Sequence, residues 1–147
     1  NIAQTVNVLQ AIIMTEGDKM VLTPTYHVFD LYKGHMDAKE MDCFVEAEES
    51  GTDKWRIANV TASASEKDGK VTLTLANLEP EKAQEITVNL KGEKIQGAEG
   101  RILTGKMDEY NDFGKETLAV KPFSDFEVKD GELVIRMPAC AVAEIRL

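Results

Sequence analysis

The sequence predicts a mainly β protein, an antiparallel β-sandwich behind a helical N-terminal segment. Three observations carry this. Apolar and polar residues alternate with period two in short runs, Val71-Thr72-Leu73-Thr74-Leu75 among them. Two Asp-Gly turns, Glu66-Lys67-Asp68-Gly69 and Lys129-Asp130-Gly131-Glu132, lie between such runs as hairpin closures do. Near residue 40 the composition changes from helix-compatible apolar segments to strands separated by Gly, Asp and Lys. Several antiparallel hairpins at short spacing, each with one apolar face, read as a sandwich.

Residues 2–14 are apolar and β-branched. Ile2, Val6, Leu9 and Ile13 fit a helical stripe, and the same run suits a buried parallel strand followed by a helix or loop; periodicity does not choose. Thr15-Glu16-Gly17-Asp18 ends the run. Residues 23–36 predict a helix, with Thr23 as N-cap and Pro24 at the first position, where a missing N–H costs nothing. Val28, Leu31, Tyr32 and His35 share its apolar face, and Gly34 lies near its end.

From residue 41 the pattern is β. Phe44-Val45-Glu46-Ala47-Glu48 alternates as a strand does. Residues 57–65 and 70–75 flank the first turn, with Val71, Leu73 and Leu75 inward and Thr72 and Thr74 outward. Ile86, Val88 and Leu90 repeat that alternation, and residues 95–104 form a further strand region. Phe126 and Val128 lead into the second turn. Residues 133–137 and 142–147 follow, separated by Pro138. Residues 105–122 carry no pattern, and a loop that long is expected to be functional or to pack on a neighbour.

The 147 residues suit one domain, or one domain with a short appendage. Lys plus Arg number 17 against 26 Asp plus Glu, a formal charge of −9. Such a chain repels phosphate backbones and anionic lipid, so neither nucleic acid nor a membrane is an expected partner. Its longest apolar stretches, VLQAIIM and ACAVAEI, are too short to span a bilayer. Cys43 and Cys140 fit neither a zinc spacing nor a redox pair, and read as reduced cysteines buried on strands. The run opens at Asn1 inside an apolar pattern, which reads as a piece of a longer protein.

Candidate sites are few. Glu46 and Glu48 share a strand face, but a glycosidase pair needs one carboxyl with a raised pKa, and nothing predicts their burial. Asp108, Glu109, Asn111 and Asp112 offer oxygens without the spacing of a calcium loop, so no metal is expected there. His27 and His35, eight residues apart on a helix, would stand about 12 Å apart, too far to share a metal. Asn59-Val60-Thr61 matches a glycosylation sequon with no secretory context to support it. Trp55, the sole tryptophan, would stack on a sugar ring if exposed; the expectation is a half-buried Trp beside a strand start. The residues by themselves show no complete active site.

Two segments carry a resemblance. NIAQTVNVLQAIIMTEG followed by LTPTYHVFDLYKGHMDA resembles the end of the catalytic barrel in α-L-arabinofuranosidases of glycoside hydrolase family 51. TGKMDEYNDF, VKPF and MPACAVAEIRL are similar to the C-terminal domain of the same family. The resemblance implies a (β/α)8 barrel followed by a jelly-roll-like β-sandwich, divided here as 1–40 for the last barrel segment and 41–147 for the sandwich. It implies a parent enzyme that removes terminal α-L-arabinofuranosyl groups from arabinan or arabinoxylan with retention, using two glutamates. Neither family motif for those glutamates occurs here, and Glu16 matches neither, so the chain alone is expected to be inactive, with no catalytic residue, metal or cofactor. The Gln of NIAQ, here Gln4, is implied to contact arabinose in the intact barrel, where sites lie at strand C-terminal ends.

The implied partners are the missing catalytic barrel of the same chain and, for the parent, an arabinose-containing polysaccharide or oligosaccharide. The resemblance also implies that the parent's N-terminal residues add a strand to the sandwich, so an edge is left open here. With the apolar run 2–14 no longer covered, a homo-oligomer is expected. Loop 105–122 is expected to face the barrel in the parent and to be a mobile or crystal-packed surface in its absence. The alternative is a non-catalytic carbohydrate-binding or subunit-assembly domain. Compartment is left open.

Overall fold

The computed structural model describes residues 4–147. A short hairpin comes first, β1 (Ile13–Glu16) and β2 (Lys19–Leu22), then a helix, α1 (Pro24–Tyr32), and a 3-10 turn, Lys33–His35. The strands that follow are β3 (Lys39–Met41), β4 (Glu49–Gly51), β5 (Arg56–Ala58), β6 (Val60–Lys67), β7 (Lys70–Asn77) and β8 (Gln84–Val88). The last five are β9 (Glu99–Thr104), β10 (Lys121–Phe123), β11 (Phe126–Lys129), β12 (Glu132–Met137) and β13 (Ala141–Arg146). They build a six-stranded sheet ordered β10-β9-β13-β7-β6-β3, a three-stranded sheet ordered β11-β12-β8, and two ribbons, β1-β2 and β4-β5.

The register explains the layers. On one face of the large sheet, Ala62, Leu75, Ala143 and Ile102 form one cross-strand rung, and Ala64, Leu73, Ile145 and Gly100 the next. These apolar rungs meet Leu133, Ile135 and Met137 of the small sheet, each with no exposed surface, and the partly buried Ile86, Val88 and Phe126. That is the sandwich core. Both Asp-Gly turns close hairpins as expected, with Lys67 opposite Lys70 and Lys129 opposite Glu132. Pro138 follows directly on the end of β12.

The opposite face of the large sheet reads Ser63, Thr74, Glu144, Arg101 on one rung and Ser65, Thr72, Arg146, Glu99 on the next. Thr74 was expected to face water. It is fully buried, because α1 and the 3-10 turn lie across this face as a third layer. At one end the contact is apolar, where Leu31, fully buried, meets Leu103 and Leu118 with Val28, Val120 and Val142 around them. At the other end it is polar.

Several expected elements differ. Residues 4–12 form no helix: Asn7 and Gln10 take left-handed φ of 51° and 58°, and Val6 bridges Ile13 instead. Leu9 of the proposed stripe is 89% exposed, and Ile2 lies outside the described residues. The predicted helix is confirmed over Pro24–Tyr32, but Thr23 lends it no side-chain cap; its hydroxyl donates to Ala11 and Ile12 carbonyls and ties the helix start to the preceding loop. Residues 44–48 are not a strand. From Met41, opposite Ala64, to Glu49, opposite Ala58, the chain uses two more residues than the strand facing it, so it bulges out of the ladder. Residues 95–98 also lie outside any strand, although Ile95 is buried and its N–H donates to the Gly131 carbonyl.

Candidate functional site

The densest chemistry in the described residues is the polar end of the layer between α1 and the large sheet. Period-two alternation on β13 puts Ala143 and Ile145 into the core and so turns Glu144 to the helix side, where it is only 1% exposed. Arg101, its cross-strand partner on β9, donates to Glu144 Oε2 through Nε at 2.7 Å and Nη2 at 2.5 Å. Arg146 donates to the other carboxylate oxygen at 2.9 Å. Arg101 Nη1 reaches in the other direction, to Asp30 Oδ2 on α1 at 2.9 Å.

His35 completes this layer. Its Nδ1 lies 2.7 Å from Ser65 Oγ and its Nε2 2.9 Å from Thr74 Oγ1, so two buried sheet hydroxyls hold the ring. Burial pushes the imidazole below its ordinary pKa, with the Glu144 carboxylate opposing. Lys33, bonded to Asp30 at 2.5 Å, and Arg101 hold the Asp30 carboxyl below the usual carboxylate range against the effect of burial. A Cβ on Gly34 would come within 2.9 Å of Glu144 Oε1 and of Thr72 Cγ2, so only glycine lets the 3-10 turn lie this close.

This arrangement is a clamp, in which Asp30 and Glu144 are both ion-paired. A glycosidase acid needs a carboxyl held protonated, and Asp30 is pushed the opposite way. Glu46 and Glu48 are exposed on the bulged segment. Asn111 is no oxygen ligand in an open loop: it is 3% exposed and its amide is wholly used. Its nitrogen donates to the Leu22 and Leu118 carbonyls at 2.9 and 2.7 Å, and its oxygen accepts from the N–H groups of Thr117 and Leu118. Loop 105–122 is therefore fastened to the hairpin at one end and buried through Leu118, while Tyr110 and Met107 stay exposed.

Other sequence candidates are scattered. Gln4 is exposed at the start of the described residues. His27 stacks edge-on against Tyr26 at 5.5 Å. Asn59 of the sequon is buried at 5% exposure and closed to a glycan. Cys43 is not on a strand but exposed on the bulge, and Cys140 sits in the turn before β13 with φ 46°. Trp55 is 81% exposed, against the half-buried expectation, because it belongs to the tip of the β4-β5 ribbon. A crevice of about 510 Å³ opens between the 3-10 turn and the bulge, lined by Tyr32, His35, Glu40, Asp42 and Ser63. Arg101 and Glu144 escaped the sequence reading; a lone Glu inside the apolar run ACAVAEI was the signal available.

A family model described as the α-L-arabinofuranosidase C-terminal domain matches residues 1–141. The chain is 40% identical over 151 residues to a Bacteroides ovatus protein named intracellular exo-α-L-arabinofuranosidase, an alignment covering all of this chain and 29% of that protein. Its fold is similar to the crystal structure of the family 51 arabinofuranosidase from Xanthomonas axonopodis pv. citri, with TM-score 0.92 and 36% identity over 99% of this chain and 30% of that one. It is similar in fold alone to an α-L-arabinofuranosidase from Thermotoga maritima solved with arabinose, with TM-score 0.82 and 23% identity over 99% of this chain and 33% of that one. The chain thus spans about a third or less of the length of these relatives.

Proposed function

The chain belongs to the α-L-arabinofuranosidase C-terminal domain family, and from that premise we propose that it serves as the accessory β-sandwich of a retaining arabinofuranosidase. Residues 1–40 are then the last segment of the catalytic barrel and residues 41–147 the sandwich. The parent acts on terminal α-L-arabinofuranosyl groups of arabinan or arabinoxylan, and both catalytic glutamates come from the barrel.

The observation that carries this reading is the clamp itself. Asp30 on the proposed barrel helix is bonded to Arg101 of the sandwich, and Leu22 on the hairpin to Asn111 of the loop. Two polar anchors and the Leu31 contact thus fasten the segment to the sandwich. The segment also keeps Met20, Phe29 and Leu9 exposed, as side chains awaiting the rest of a barrel would be. Gln4 lies on that segment and is proposed to contact the sugar in the intact barrel. A homo-oligomer is the other partner we propose, since these side chains are not all covered within one copy.

The test joins this chain to the catalytic barrel of the Bacteroides ovatus relative, in place of that protein's own C-terminal part. The chain alone is expected to show no turnover of an aryl α-L-arabinofuranoside, and the fusion to restore it. Turnover by the chain alone that follows the protein through repurification overturns the reading.

A further inference from the structure

We infer that Tyr110 of loop 105–122 sets substrate specificity: it lines a crevice that receives the pentose chain beyond the arabinosyl group being removed. The inference rests on the accessory-domain reading above and names a substrate contact made by the sandwich.

The crevice measures about 410 Å³, within the roughly 300–1,000 Å³ that small-ligand clefts span. Its lining joins two parts of the chain. Tyr110 and Asp112 come from the loop, and Val8, Gln10, Met14 and Pro24 from the segment that leads from Gln4 into α1. On the reading above, residues 5–22 are the loop that follows the last barrel strand. Loops of that kind build the open face on which barrel enzymes meet their substrates, while the strands and helices of the barrel pack beside and beneath it. A crevice at this position is therefore left to the substrate and is not closed by the rest of the parent.

Tyr110 is 59% exposed, yet its neighbours on both sides are fixed. Asn111 donates to the Leu22 carbonyl at 2.9 Å. Glu109 accepts from the Lys106 N–H at 3.2 Å and from the Thr117 hydroxyl at 2.9 Å. Asp112 and Lys115 exchange backbone hydrogen bonds of 2.9 and 2.8 Å, and the Lys115 ammonium lies 5.1 Å from the centre of the Tyr110 ring. Across the crevice lining, Gln10 takes a left-handed φ of 58°, which an L-residue adopts only at a cost, and such outliers gather at binding sites. The chemistry suits a sugar chain. A pre-ordered aromatic ring offers a face for sugar C–H groups, the Gln10 amide and the Asp112 carboxylate offer partners for hydroxyls, and Val8 and Met14 add apolar surface. The formal charge of −9 favours a neutral pentose chain over an acidic glycan.

The fusion to the Bacteroides ovatus barrel reads this contact through substrate length. On arabinohexaose, Tyr110→Ala should lower kcat/KM about tenfold, mainly through KM, the scale of one lost aromatic contact. On arabinobiose, which ends at the first sugar past the cleaved bond, the loss should be about twofold or less. Tyr110→Phe should keep most of the long-substrate advantage. An arabinosyl-substituted xylohexaose run alongside tells which pentose backbone the crevice takes, and a length-dependent loss on either chain supports the inference. Retardation of the fusion in a gel containing linear arabinan reads the contact without turnover; it should fall in Tyr110→Ala and stay unchanged in Trp55→Ser, whose side chain lies outside the crevice. Equal losses on long and short substrates, or retardation that depends on Trp55 and not on Tyr110, overturn the inference and leave the accessory-domain reading standing. A fusion inactive on the aryl arabinofuranoside overturns that reading instead, and retardation indifferent to Tyr110→Ala then overturns the crevice as well.

Discussion

Arg101 and Glu144 face each other across β9 and β13, and the arginine holds the buried carboxylate while its outer nitrogen grips Asp30 on the helix above. One guanidinium thus joins two layers. Arg101→Ala should lower stability by about 2–3 kcal/mol, below the usual cost of breaking a buried pair because the arginine is one-third exposed and Arg146 still reaches Glu144. Urea unfolding measures it. A loss under a few tenths would mean that the pair is decorative.

Acid should weaken the same layer in two stages. The folded His35 has a pKa below its unfolded value of about 6.5, so the neutral ring's contribution is whole above that value and declines as pH falls through it. The folded Asp30 lies below the unfolded value of about 3.9, so its contribution is whole above that and is lost as pH falls through the folded value. Urea midpoints taken from about pH 7.5 down to about pH 5 should fall for the natural chain and stay level for His35→Gln.

Asn111→Ala leaves two carbonyls and two N–H groups without the partner they now share. We expect a loss of about 2–3 kcal/mol, the scale of orphaned buried groups. Hydrogen exchange should speed up together in residues 105–120 and in the β1-β2 hairpin. Acceleration confined to the loop would show that the tie to Leu22 carries nothing.

Gly34→Ala tests how closely the 3-10 turn must approach. Glu144 is bonded on both oxygens and cannot swing aside for the added methyl, so the turn itself must lift, at a cost of about 1–3 kcal/mol. Exchange at residues 24–35 should rise while β12 stays protected. An unchanged midpoint would show that the layers slide freely.

The sandwich was legible because hairpin turns and alternation act within a few residues. Asp68-Gly69 and Asp130-Gly131 set their registers locally, with Asp φ of 55° and 58° that the turn type demands. What covers the far face of a sheet is not local. Thr72 and Thr74 look like solvent residues until α1 lies over them, and nothing near them in sequence announces it. The bulge at 42–48 failed for a related reason: Phe44 to Glu48 alternates, but the facing strand has two residues too few to pair with it. Trp55 misled because a lone aromatic is normally drawn inward, and here a glycine-closed turn holds it out. The clamp was hidden because Arg101 and Glu144 meet only through strand order.

That strand order has a consequence for how the protein is made. β13 lies at the centre of the large sheet, between β9 and β7, yet it is synthesised after every other strand of this chain. Until it emerges from the ribosome, the facing edges of β7 and β9 have nothing to zip against, and the arginine of the clamp has no buried carboxylate to hold. Vectorial folding therefore halts with its keystone missing, leaving two apolar strand edges open to whatever is nearby. A nascent chain of this kind keeps those two edges exposed until β13 has left the exit tunnel.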